Sequence, residues 1–248
     1  ALMGSYAHRM WGRFSLSSKT NELITEFVVK GGKPEDWRPT YSIAPTTNVP
    51  IVRERAEDGD IRRELTLARW DWPKPANRPG GGPIINARIE KLPTGFWVGA
   101  FSNSCSIVPM APGYFEWTGQ KGSKQPHLIA GEGLLAAAGL TWTTEIAGER
   151  QRVFVVITRE ARDASGEIHD RMPAFLSDDL RDDWLNPRSL TVERDSASSK
   201  RNRLELLDEL DASSSVIAST MRTHPLDPRL NNARSVDRYD PTLLESIN

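Results

Sequence analysis

A chain of 248 residues, 38% hydrophobic and with a formal net charge of −1, is long enough to bury a sizeable core. It has no global excess of positive charge, so any nucleic-acid surface has to be a local patch. One cysteine, Cys105, excludes an internal disulfide and a multi-cysteine zinc site, and no apolar run approaches the roughly 20 residues needed to cross a bilayer. With no charged-then-apolar leader either, a soluble, cytoplasmic protein in a reducing compartment is expected, with no membrane partner.

Residues 1–9 read as a tag or a genuine leader, and residues 10–248 as one domain. The spacing of Leu23, Ile24, Phe27 and Val28 predicts a helix over Asn21 to Lys30, capped by Thr20 and ended by Gly31-Gly32. Tyr41 to Thr46 reads as a strand entering a tight turn. Short runs at Val49 to Val52, Leu65 to Ala68, Ser106 to Val108, His127 to Ile129, Leu134 to Leu140 and Val153 to Ile157 predict strands, several of them rich in β-branched residues. Trp72 to Pro83, with four prolines and three consecutive glycines, predicts a mobile loop. Helices are expected around Asp178 to Leu185 and Arg203 to Leu210, the latter between polar connections at Ala197 to Lys200 and Ser213 to Ser215, followed by a last strand at Ser215 to Ala218. Strands neither alternate regularly with helices nor repeat at a fixed period, so the expected class is α+β: a single domain with a largely antiparallel, barrel-like sheet and peripheral helices.

The hexapeptide Ile168-His169-Asp170-Arg171-Met172-Pro173 places a titratable base, a carboxylate and a guanidinium side by side and then a proline that enforces a non-helical exit. His169 can take and give a proton near neutral pH, and Arg171 can hold an anion in a fixed fork; the plain alternative is a loop tied by hydrogen bonds. Glu116, between aromatics in Pro112 to Trp117, sits on an expected strand where partial burial would raise its pKa toward the range useful for proton transfer. Alone it reads equally as a solvated strand face. Asn86 and Arg88, just after the glycine-rich loop, suit a phosphate or carboxylate, or an ordinary surface ion pair. Cys105 reads as a small buried hydrophobe. His169-Asp170 supplies at most two adjacent metal ligands with no spaced partner, so no metal and no cofactor are expected.

Read in order, Gly12-Arg13-Phe14, Tyr41 to Thr46, Arg69-Trp70, Asn86-Ala87-Arg88, Val108-Pro109 with Tyr114 to Trp117, Gln125-Pro126, Ala138-Gly139-Leu140 and Ile168 to Pro173 resemble the SOS response-associated peptidase (SRAP) family of abasic-site-processing proteins. The resemblance spans Met10 to about Arg234. It implies a DNA-damage-response protein whose partner is single-stranded DNA with abasic sites. It also implies a self-processing step and a covalent step: a cysteine after the initiator methionine condenses through its α-amine and thiol with the abasic aldehyde to form a thiazolidine.

At that position this chain has Trp11. Without a thiol the ring cannot close, and at most a free α-amine could form a reversible Schiff base. Cys105 cannot substitute, because thiol and amine must belong to one residue. A substitution, natural or engineered, and a pseudoenzyme that has lost the covalent step both account for Trp11. By the same resemblance, Glu116 handles protons during self-processing and imine formation, His169 acts as general acid or base near the opened sugar, and Asn86 positions the N-terminal residue or the sugar. Arg13, Arg88 and Arg171 are expected to bind flanking phosphates, and Trp70 to offer a stacking face to a base. Asp71-Trp72 departs from the family's usual small and aliphatic residues. Two other readings are a peptidase or hydrolase that activates water through Glu116 and His169, and a non-catalytic DNA-binding pseudoenzyme.

Overall fold

The computed structural model describes residues 12–32, 34, 37–58, 60–75, 80–120, 122–186 and 197–247. Trp11 and residues 1–9 therefore lie outside the described residues. In chain order the elements are β1 (Phe14–Leu16), α1 (Thr20–Glu26), β2 (Thr40–Ile43), β3 (Asn48–Glu57), β4 (Asp60–Trp70), β5 (Asn86–Arg88), α2 (Val98–Asn103), β6 (Cys105–Met110), β7 (Gly113–Thr118), β8 (Gln125–Ala130), β9 (Leu135–Ile146), β10 (Glu149–Glu160), α3 (Asp163–Gly166), β11 (Arg171–Pro173), α4 (Arg181–Leu185), α5 (Ala197–Thr220) and β12 (Arg222–Pro225).

Strand β10 pairs antiparallel with β9 and parallel with β4, and the path β10-β4-β3-β6-β9 returns to β10. Five strands thus close a mixed barrel, which removes the open edges a flat sheet would expose. The second half of β10 carries two short strands instead: β5 on one edge, with Val156 opposite Asn86, and β11 on the other, with Glu160 opposite Arg171. A second, antiparallel sheet of order β12-β8-β7-β1-β2 lies beside the barrel. The result is the expected single α+β domain with a barrel-like sheet.

The run Val153 to Ile157 is buried on both faces, as a strand covered on two sides requires. Trp70 is wholly buried: its ring stacks on Phe154 with centroids 6.1 Å apart, meets Phe14 edge-on at 5.0 Å, and donates its Nε1 proton to the Ile85 carbonyl at 2.8 Å. At β7 the chain needs glycine, because a Cβ on Gly113 would sit 1.9 Å from the Ile129 carbonyl oxygen.

Three local expectations are corrected. The first helix starts at Thr20 itself; the residue ahead of it, Lys19, gives its backbone N–H to the Glu22 carboxylate at 2.7 Å, and the helix stops at Glu26 because Val28 turns to φ 50°. Ser215 to Ala218 is not a strand, and the serine-rich stretches around Arg203 to Leu210 are not connections: all lie inside α5. The serines misled because they favour turns in general, whereas here they dock the helix. Ser214 Oγ accepts from the Phe175 N–H at 3.1 Å, Ser213 Oγ accepts from the Ser177 N–H at 2.7 Å, and Ser215 Oγ accepts from Arg159 at 2.5 Å. The expected loop after Trp72 begins from an isolated antiparallel bridge between Trp72 and Ile84; residues 76–79 lie outside the described residues.

Because Trp70 joins the barrel to β1, Trp70→Ala is expected to cost about 3–5 kcal/mol of stability, read as a lower urea midpoint.

Candidate active site

Glu116 and His169 come from different layers and are held to one geometry by the chain around them. In β7, Tyr114 and Glu116 point to the same side of the strand, two residues apart. The buried Tyr114 hydroxyl donates to Ser165 Oγ at 2.7 Å. Ser165 lies in α3, and its carbonyl accepts the His169 N–H at 2.9 Å. The Asp170 carbonyl accepts from the Ala161 N–H at 2.9 Å, which pins the other side of the same loop. His169 Nδ1 therefore sits 3.8 Å from Glu116 Oε1.

The Arg171 backbone N–H donates to His169 Nδ1 at 3.0 Å, and Asp170 Oδ1 is also 3.0 Å from that nitrogen. One nitrogen cannot accept from the first and donate to the second at once. In the neutral ring Nδ1 is the acceptor and the proton is on Nε2; protonation at Nδ1 turns it toward the two carboxyl groups.

Glu116 is buried, and loss of hydration pushes its pKa up to about 9; the negative charge of Asp170 adds to the rise, and the Trp117 N–H and the Lys124 ammonium only partly oppose it. At neutral pH it is a protonated acid, not a carboxylate. It opens onto a recess of about 730 Å³ whose lining includes Gly12, Arg13, Trp117, Lys124, His169 and Asn231. Asn231 ties this rim together: its Oδ1 accepts from Trp117 Nε1 at 2.8 Å and its Nδ2 donates to the Lys124 carbonyl at 2.8 Å.

The expected site residues separate into three groups. Glu116, His169 and Arg13 line the recess, although the nearly buried Arg13 guanidinium lies 5.1 Å from the centre of the Trp117 ring and donates to the Leu230 carbonyl. Arg88 and Arg171 line a neighbouring recess of about 550 Å³ together with Glu90, Arg159, Arg162, Asp170 and Asp211. Arg171 is engaged there by Glu90 at 3.1 Å and by the Thr158 carbonyl at 2.7 Å, while Arg88 is exposed. Asn86 is buried at the start of β5 and lines neither recess. Trp70 is corrected: a ring enclosed by Phe14 and Phe154 offers no face to a base. Trp11 lies outside the described residues, but its neighbour Gly12 is part of the recess wall.

Sequence reasoning missed Lys124 and Asn231. Lys124 could have been noticed eight positions after Glu116 across a glycine-rich turn; nothing in the sequence singles out Asn231. Cys105 is buried with its thiol pKa pushed up, outside both recesses. Among the described residues no group of three His, Cys, Asp or Glu side chains could hold a metal, and no helix is long and apolar enough to cross a membrane.

A carboxyl group whose folded pKa is about 9 against an ordinary 4.5 binds a proton in the folded state that the unfolded chain has released. It therefore erodes stability as pH rises from 4.5 to 9, by on the order of 1 kcal/mol per pH unit. Glu116→Gln removes that term. Urea unfolding at pH 5 and pH 8 is expected to show the variant gaining on the parent chain at the higher pH.

Residues 10–232 match the family described as SOS response associated peptidase (SRAP). The chain is similar to the abasic site processing protein YoqW of Bacillus subtilis, 33% identical over 73% of this chain and 82% of that protein, and to the abasic site processing protein YedK of Escherichia coli, 27% identical over 91% and 96%. A solved protein from Bacteroides thetaiotaomicron shares the fold at 18% identity with a TM-score of 0.65, covering 95% of this chain and 99% of that one. A family match over residues 10–232, nearly the whole chain, which includes Glu116 and His169, shows that the chain belongs to the SRAP family.

Proposed function

We propose that this protein binds single-stranded DNA at abasic sites as part of the DNA-damage response, and that its recess receives the aldehyde of the opened sugar. The observation that carries the reading is a protonated Glu116 beside His169 in a recess walled by Gly12 and Arg13. An aldehyde that is to react with an amine needs an acid for its oxygen and a base for the nitrogen's protons, and Glu116 and the His169 imidazole are the groups of the recess with those two capacities. Relatives named as abasic site processing proteins support the same reading.

A single strand fits better than a duplex, because a sugar that enters a recess has to leave any stack, and an unpaired strand does so at least cost. The flanking phosphates run toward Arg88, Arg162 and Arg171 in the neighbouring recess. Trp11 supplies no thiol, so capture as a thiazolidine is outside this chain's chemistry. The alternative of water activation would have to run on His169 alone, because a Glu116 that holds its proton is poorly suited to act as the base.

Two measurements test this. Binding to an abasic single-stranded oligonucleotide is expected to exceed binding to the intact strand and to weaken steeply with salt. Equal affinity for both would sink the abasic-site reading. Incubation of the chain as it stands should leave no denaturant-resistant adduct, whereas Trp11→Cys with residues 1–10 removed should form one.

A further inference from the structure

Lys124 is the one primary amine among the described residues that line the recess, and neither the family chemistry nor the reading above uses it. It lies in the turn between β7, which carries Glu116, and β8. Gly119 and Gly122 take φ of 85° and 101° there, and the Ser123 N–H donates to the Gln120 carbonyl at 3.0 Å, closing the turn. The Lys124 main chain is fixed at the rim by Asn231, which also holds Trp117. The side chain is exposed, and its ammonium is near enough to Glu116 to draw that group's pKa down against burial.

Resting on the proposed abasic-site reading, we propose that Lys124 is a catalytic residue of this chain, whose ε-amine condenses with the aldehyde in the recess to form a reversible imine where Trp11 provides no thiol. His169 takes one proton from the Lys124 ammonium, whose freed nitrogen attacks the aldehyde carbon; the carbonyl π pair moves to oxygen, which takes that proton from His169 to give a carbinolamine. Glu116 delivers a second proton to that oxygen, which leaves as water while the nitrogen lone pair closes the C=N bond. From ammonium to protonated imine, nitrogen loses two protons and oxygen gains two; His169 takes the second from the carbinolamine nitrogen and passes it on to restore Glu116, so ammonium and aldehyde become protonated imine and water with no other reactant. Without a sulfur to trap it, the imine hydrolyses back.

The test uses sodium cyanoborohydride, which reduces an imine to a stable secondary amine. The full chain is incubated with an abasic single-stranded oligonucleotide and the reductant, and the adduct is located by peptide mass spectrometry. The expected result is a cross-link on the peptide that contains Lys124, absent in Lys124→Arg and formed about 10²-fold more slowly in Glu116→Gln. Arg keeps the charge on an exposed turn and has no nucleophilic amine, and an unchanged thermal unfolding profile confirms that the variant is folded. Binding of the abasic strand with no trapped adduct, or an adduct on the chain's α-amine or on another lysine, overturns the role of Lys124 and leaves the abasic-site reading standing. Failure to prefer the abasic strand at all removes that reading, and the role of Lys124 with it.

Discussion

Strand β10 has partners on both edges from Val153 to Thr158, and the barrel and the two short strands that carry Arg88 and Arg171 take their places from that. Its first half closes the barrel between β9 and β4, and its second half has β5 on one edge and β11 on the other. A strand so enclosed has no edge for water and no face for it either, which is why Val153 to Ile157 is an unbroken apolar run. Thr158 and Arg159, which follow, are buried as well, and their polar groups are met inside the fold, Arg159 by the Asp211 carbonyl and Ser215. Arg88 on β5 and Arg171 on β11 are brought to one recess because both strands hang from the same half of β10.

The electrostatics of the site follow from burial, not from a nearby cation. Glu116 lies in a strand packed on both sides, and the two influences that favour its charged form, the Trp117 N–H and Lys124, are weaker than the cost of its lost hydration. A residue that would be a carboxylate in water is thereby kept as an acid. His169 contributes the opposite capacity, with Nδ1 occupied by the Arg171 N–H in the neutral ring. Tyr114 and Ser165 couple the two, because the bond between their hydroxyls joins the strand of one to the loop of the other.

The barrel was legible in the chain because its strands are short apolar runs of β-branched residues, and Val153 to Ile157 can hardly be anything else. The pair Glu116 and His169 was legible for a different reason: each stands in a word whose order along the chain resembles one family. What could not be read was long-range. Trp70 looked available for stacking because nothing local reveals that Phe14 and Phe154 close over it. Ser213 to Ser215 looked like a connection because serine's local preference is for turns, while the partners that override it, Phe175, Ser177 and Arg159, are 36 to 56 residues away. Asn231 carries no local mark at all, and its importance exists only through Trp117 and Lys124.

That last contact has a consequence for how the protein is made. Arg13 and Leu230, bonded across 217 positions, bring the two ends of the fold to one rim, where Gly12 and Asn231 also meet. During synthesis a chain extended as far as Met221 already contains Glu116, His169 and the whole barrel, yet Trp117 and Lys124 still lack the side chain that joins them. The recess is complete only once the segment that carries Leu230 and Asn231 has folded back, and the same movement closes the apolar cluster of Phe115 and Leu128 with Leu226, Leu230 and Leu243, so the rim of the site and that part of the core are finished together.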